Sequence, residues 1–237
     1  FRGKSKNGPW GDSIEELDWS VGEILNTLKK HNLDEKTLVL WTSDNGAPRR
    51  NPLQGSNLPL GGWGYTTAEG GMRVPAIVRW PGSIPASSTN DELSSLMDLL
   101  PTFAQLAGAK LPERKIDGKN IWPLWNQPDA KTPHKFFYYY HTQYLEAVRD
   151  VRWKLVLPHA QNRTLRHGVK HIDKPQLFDM KTDAAEMHDV ATEHLDIVKR
   201  LLTAATTARK ELGDGNRKGD NVRSVGRTRQ NPTPRVK

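Results

Sequence analysis

"TLVLWTSDNG", residues 37 to 46, is the stretch on which the reading of this sequence turns. Thr37 to Thr42 is an unbroken β-prone run without polar alternation, the pattern of a strand covered on both faces, as in a parallel sheet. Ser43-Asp44-Asn45-Gly46 then closes it, and two readings stay open on spacing alone. Asn-Gly is among the strongest turn formers, so the segment can simply reverse the chain. Alternatively, Asp44 and Asn45 stand side by side at the C-terminal end of a parallel strand, where open α/β sheets bind ligands, and present hard oxygens to a cation.

Working outward, Asp12 or Ser13 offers an N-cap upstream, with Ser13 and Glu16 in capping-box spacing. Ile14, Leu17, Val21, Ile24, Leu25 and Leu28 recur at three and four residue intervals, which predicts one amphipathic helix ending near His31-Asn32. A helix feeding a buried strand points to an α/β sheet. Downstream, residues 46 to 72 are crowded with Gly, Pro and Asn and too long for an ordinary connection, so a functional loop is expected there. "VPAIVRWPG" (74 to 82) is a second strand closed by a Pro-Gly turn, and residues 90 to 108 read as a helix interrupted at Pro101, with Leu93, Leu96, Leu99, Leu100 and Phe103 in the core.

After about residue 130 the pattern changes to short strands at Phe136 to Thr142, Leu145 to Asp150, Arg152 to Leu157 and Gln176 to Asp179. They predict a small antiparallel four-stranded sheet, with a helix from about Thr192 to Leu212 packing Leu195, Val198, Leu201 and Leu202 on it. From Gly213 the sequence loses periodicity and is expected to be a flexible tail. The domain division is thus 1–130, 131–212 and 213–237.

The chain has 237 residues and a formal charge of +8. Nine Lys or Arg against three Asp or Glu from Arg209 to Lys237 place six of those charges at the C-terminal end, so the body is nearly neutral. A basic tail of this kind opens the alternative of a non-enzymatic polyanion-binding protein, but it lacks interleaved aromatics, and no nucleic-acid partner is expected. No apolar run approaches the roughly 18 residues that cross a bilayer, so no membrane partner is expected either. Without Cys there is no disulfide, thiolate ligand or Cys nucleophile.

Four blocks decide between turn and metal site. "GDSIEELDWSVGEILNTLKKHNLDEKTLVLWTSDNG" (11 to 46), "YTTAEGGMRVPAIVRWPG" (65 to 82), "LSSLMDLLPTFAQLAGAKLPERKIDGKNIWPL" (93 to 124) and "QLFDMKTDAAE" (176 to 186) together resemble the type I sulfatase family, in the same order and at similar spacing, over about residues 1 to 212. The resemblance implies an α/β fold: the second half of an alkaline phosphatase-like α/β domain, then the small sheet with its C-terminal helix. It implies a calcium-assisted sulfuric ester hydrolase of arylsulfatase type, with a sulfate ester substrate that extends to carbohydrate, in an extracytoplasmic location. It carries the family's metal ligands onto Asp44 and Asn45. A phosphoester or phosphonate hydrolase of the same superfamily is the alternative.

The family's nucleophile is a formylglycine made from the Cys or Ser of a C/S-x-P-x-R motif, which this chain does not contain. The chain is therefore expected to be the C-terminal part of a sulfatase, with its catalytic nucleophile elsewhere, and to be inactive alone. A second departure lies in "GGWGYTTAEGG" (61 to 71), where Trp63 occupies the place of the family's sulfate-contacting Lys. An indole offers no charge; it either packs or stacks on a ring, and Arg49 or Arg50 is left to replace the lost donor. Glu69 and Arg73 are read as pairing with each other or holding the loop backbone. His141 is read as a surface residue or as a substrate-binding group reaching the leaving group from the small sheet. His159, His167 and His171 lack a trusted zinc spacing, and Asp179, Asp183 and Glu186 are read as stabilising a turn and helix start.

Overall fold

The computed structural model of the protein describes residues 1–50, 54–159 and 172–222. Helix α1 spans Gly8–Lys30 with Asn7 at its N-cap, five or six residues earlier than the Asp12 or Ser13 cap that the sequence suggests. Pro9 suits a first turn, because the N–H it lacks has no partner there anyway. Asp12 is then inside the helix, and its carboxylate accepts the N–H groups of Gly3, Lys4 and Ser5 at 2.7, 3.0 and 2.8 Å, tying down the preceding turn instead of capping. Those backbone bonds, Ser5 foremost, hold its pKa below the usual aspartate value. The helix closes at His31, and Asn32 takes the left-handed conformation (φ 56°).

Strand β1 (Val39–Thr42) pairs antiparallel with β2 (Ala76–Arg79), Val39 opposite Arg79 and Thr42 opposite Ala76. The expectation of a parallel strand covered on both faces is corrected here. All four residues of β1 are only half-buried, and β2 is its sole ladder partner among the described residues. The uniform apolar run encodes covering layers that these residues do not contain. Asp34 anchors the entry to β1 by a bidentate pair with Arg79 at 2.7 and 2.8 Å, and Trp80 Nε1 donates to Glu35 O at 2.8 Å.

Residues 90–95 are not helical; a 3-10 turn at Leu96–Asp98 leads into α3 (Leu99–Leu106), with Pro101 buried in its first turn. The reason is Asp98, fully buried, which accepts the N–H groups of Ser95 and Lys119, both at 2.7 Å, and lies 2.9 Å from His134 Nε2. That carboxylate fixes the helix start and joins three distant segments. Leu96, Leu100 and Phe103, expected in the core, are exposed instead. Gly108 ends the segment at φ 65° as a C-cap should. The short α4 (Trp122–Asn126) follows.

The small sheet matches its sequence signal closely. β3 (Phe137–His141), β4 (Tyr144–Arg149), β5 (Trp153–Val156) and β6 (Gln176–Asp179) run in the order β3-β4-β5-β6, all antiparallel, with a register shift between Tyr139 and Tyr140. α5 (Leu195–Leu212) lays Leu201, Ala204, Ala205 and Ala208 on Leu145, Val148, Leu155, Leu157 and Leu177. Val198 and Leu202 border this core as expected, but Leu195 is exposed. The small alanines let the helix approach the sheet closely.

The tail begins later than Gly213. β7 (Gly213–Asp214) and β8 (Arg217–Lys218) form a hairpin held by Tyr140 Oη on Gly213 O (2.9 Å) and by Asp214, which accepts the Leu145 N–H (3.0 Å) and pairs with Arg209 (2.7 Å). Side-chain bonds from the sheet order a stretch whose own composition lacks periodicity. Most of the basic tail, 223–237, lies outside the described residues, as do His167 and His171. No described helix is long and apolar enough to cross a membrane.

Candidate functional site

The C-terminal end of β1 delivers Asp44 exposed and Asn45 half-buried. Ser43 Oγ donates to Asn45 O at 3.1 Å, Asp44 Oδ1 accepts the Asn45 N–H at 2.9 Å, and Asn45 Nδ2 donates to Gly46 O at 3.0 Å. These bonds leave Asp44 Oδ2 and Asn45 Oδ1 without a hydrogen bond among the described residues. Two hard oxygens from adjacent side chains are thus held by a local turn, so the turn and the cation reading are compatible. Calcium takes about six to eight oxygens. No group of three or more His, Cys, Asp or Glu among the described residues could hold a metal, so this pair is a minority share of any such shell.

The loop behind Asp44 is sewn to residues 57–72. Gly46 N–H donates to Gly71 O (3.0 Å) and Gly64 N–H to Ala47 O (2.9 Å). Asn57 bridges both sides, accepting the Ala47 N–H at 2.7 Å and donating to Ala47 O and Gly62 O at 2.9 and 3.2 Å. The contact is so close that a Cβ on Gly46 would sit 1.8 Å from Gly70 O, which excludes any side chain there. This seam brings the Trp63 segment against the Asp44 loop. Trp63 is half-buried, and its carbonyl accepts the Thr66 N–H and hydroxyl at 3.2 and 2.6 Å. Arg49 and Arg50 are exposed on the outgoing strand of the same loop.

On the far side, the same segment is clamped to the small sheet by buried charge. Glu69 opens α2 (Glu69–Met72) and is buried. Its Oε1 accepts Tyr139 Oη at 2.7 Å and lies 3.2 Å from Lys154 Nζ, while Oε2 meets Arg149 Nη1 at 2.7 Å. Of the two readings of Glu69 and Arg73, their side-chain pairing is corrected: Glu69 is buried against Arg149 and Lys154, while Arg73 is exposed and meets Glu69 only through its N–H on Glu69 O at 2.7 Å. Lys154, fully buried, also contacts Glu186 Oε1 (2.7 Å) and Thr67 O (2.7 Å) and lies over the Tyr139 ring at 4.3 Å. Glu186, expected at a helix start, instead accepts the Glu69 N–H at 2.7 Å. Asp179 and Asp183 keep their turn roles, accepting the N–H groups of Lys181 and of Met187 and His188.

His141 closes β3 with its Nδ1 3.8 Å from Glu146 Oε1, and Glu146 Oε2 accepts Thr67 Oγ1 at 2.7 Å. It therefore adjoins the clamped segment, two residues from Glu69 along the chain at Thr67. His159 lies elsewhere, its Nδ1 2.9 Å from Leu157 O. The structure thus joins the loop that follows Asp44 and Asn45 to the Trp63 segment through Gly46, Ala47 and Gly64, and reaches His141 only through Glu146 and Thr67. Arg149 and Lys154 were missed in the sequence. Lys154 sits between Trp153 and Leu155 of the core and so faces the other side of the sheet together with Arg149, and nothing in the sequence says that this side is covered too.

Two family models match: "Sulfatase" over residues 9–109 and "N-sulphoglucosamine sulphohydrolase, C-terminal" over residues 65–211. Steryl-sulfatase of Mus musculus is 36% identical over 242 residues, covering 90% of this chain and 39% of its own length. Among solved structures, the Bacteroides thetaiotaomicron protein BT33336S-sulf superposes with a TM-score of 0.76 at 27% identity, covering 88% of this chain and 46% of that one. BT4656, solved in complex with its substrate D-glucosamine-2-N,6-O-disulfate, reaches 0.63 at 26% identity, covering 83% and 39%. The chain thus spans about two fifths of the length of the curated relative it matches. With family models matching most of the chain and a solved structure superposing over 88% of it, the conclusion is plain: the chain belongs to the sulfatase family and corresponds to the C-terminal part of that fold.

Proposed function

We propose that this chain forms part of the active site of a calcium-assisted sulfuric ester hydrolase acting on a sulfated carbohydrate, with the formylglycine nucleophile contributed by sequence outside it. The observation that carries the reading is the pair of oxygens, Asp44 Oδ2 and Asn45 Oδ1, left without a hydrogen bond among the described residues on a turn whose following backbone is tied at Gly46 and Ala47. A divalent cation bound there would neutralise charge that builds on the sulfuryl oxygens. Asp44 and Asn45 present these oxygens from a turn whose next residue, Gly46, is tied by its backbone to Gly71. Trp63 offers a flat apolar face where relatives place a cation, which suits stacking on a sugar ring. His141 flanks the same segment as a hydrogen-bonding group for the leaving side of the substrate. The sulfated sugar bound by BT4656 supports the substrate class.

The test uses a protein that joins this chain to a C/S-x-P-x-R segment. Asp44→Ala and Asn45→Ala are each expected to lower sulfate ester hydrolysis by about 100-fold or more, the scale of losing one transition-state electrostatic contact, and to weaken calcium binding. Unchanged activity in both variants removes the metal assignment. Faster turnover of a phosphate ester than of the matched sulfate ester in the unmutated protein removes the sulfatase reading.

A further inference from the structure

Four charged side chains, Glu69, Arg149, Lys154 and Glu186, meet in the interior where residues 67–69 touch the small sheet. Burying two ion pairs is a poor route to stability, since the loss of hydration cancels much of the attraction and well-packed apolar residues do as well. What such an array adds is direction. Lys154 donates hydrogen bonds to Thr67 O and Glu69 Oε1 and pairs with Glu186 Oε1, and Glu186 accepts the Glu69 N–H through Oε2. Thr67 is gripped a second time by Glu146 through its hydroxyl. The backbone from 67 to 69 therefore has one allowed placement relative to β4 and β5.

That placement propagates without any side chain. Gly70 N–H donates to Gly61 O at 2.7 Å, Gly71 O receives Gly46 N–H, and Gly46 lies against Gly70 with no space between them. We infer that Lys154 and its partners are positioning residues: they fix the 67–71 backbone, which in turn sets the direction in which Asp44 and Asn45 present their oxygens. The effect on cation binding rests on the reading of those two residues given above; the effect on loop placement does not.

The experiment separates these two layers. Lys154→Met and Thr67→Val are compared with the unmutated chain by amide hydrogen exchange, following Gly46 and Gly64, whose N–H groups bridge the two loops, and Val148 and Leu155, which report on the sheet. Expected is about tenfold faster exchange at Gly46 and Gly64, with Val148 and Leu155 unchanged, because the opening is local. Thr67→Ser, which keeps the hydroxyl, is expected to restore protection. If Lys154→Met fails to fold, Thr67→Val still decides, since it removes one grip and no buried charge. Unchanged exchange at Gly46 and Gly64, or equal loosening of the sheet, overturns the inference. In the protein joined to a C/S-x-P-x-R segment, the calcium concentration for half-maximal activity is expected to rise about tenfold in Thr67→Val, as for partners that orient metal ligands. If calcium has no effect on the unmutated protein, the cation reading falls while the exchange data still settle the positioning role.

Discussion

At Glu69, opposing electrostatic effects meet on one carboxylate. Burial pushes its pKa up, but the charges of Lys154 and Arg149 and the hydrogen bonds from Tyr139 and Lys154 outweigh it, leaving the group below the ordinary glutamate value of 4.5. Burial likewise pushes the Tyr139 hydroxyl well up, aided by the same carboxylate, so it stays a donor. A carboxylate depressed in the folded state stabilises the fold above its unfolded pKa, and that contribution is lost as pH falls through the folded value. Acid titration followed by circular dichroism should therefore show stability falling as pH drops below about 4.5, with a shallower fall in Glu69→Gln. Asp34 and Asp179, lowered by Arg79 and Arg152, leave a residual slope. The Glu-Gly-Gly signature was readable in the sequence, but its partners were not. Arg73 stands at helical spacing from Glu69, whereas Arg149 lies 80 residues away and meets it only because β4 turns that side chain inward.

Among the elements, β3 to β6 were legible to within a residue or two, because aromatic and β-branched runs broken by polar turns admit few alternatives. Segment 90–98 misled for a definite reason: its Leu and Met content favours helix, yet one buried carboxylate at Asp98 claims the amides that a longer helix would need. The C-terminus of α5 was marked by Gly213, and there the structure adds a demand. Gly213 has φ 91°, and a Cβ on it would lie 2.6 Å from Arg217 O. Gly213→Ala is expected to cost about 1 kcal/mol or more, from left-handed backbone and crowding together, measured as a lower midpoint in urea unfolding. The same substitution should loosen the β7–β8 hairpin and leave the core of Leu155, Leu177 and Leu201 intact.

Across the whole molecule, apolar side chains are divided unequally. The small sheet and α5 enclose a complete core, but Ile14, Leu17 and Ile24 of α1, Ile77 of β2 and Leu100 of α3 are exposed, Ile77 at 61%. Periodicity identified α1 as a one-sided element; it says nothing of whether a partner layer is present. The chain by itself should bind a dye such as anilinonaphthalene sulfonate and associate as concentration rises, because α1 alone exposes Ile14, Leu17 and Ile24 and exposed apolar patches invite association. Ile14→Glu with Leu17→Lys should reduce both, and dye binding unchanged in that double variant would show the face to be covered in solution. The candidate site divides in the same way. Asp44 and Asn45 could be singled out because they stand together in one short motif that resembles the family's, whereas the clamp behind them joins residues from both halves of the chain.

The zero clearance between Gly46 and Gly70 carries a final implication for how this region tolerates change. Where packing is loose, a sequence can drift by small volume steps and adjust a little each time. At a joint with no spare ångström the smallest possible step, one methyl, already forces the two backbones apart. Variation here is therefore expected to be stepwise rather than gradual, and any retuning of the Asp44 and Asn45 oxygens must come from residues that steer the joint from behind.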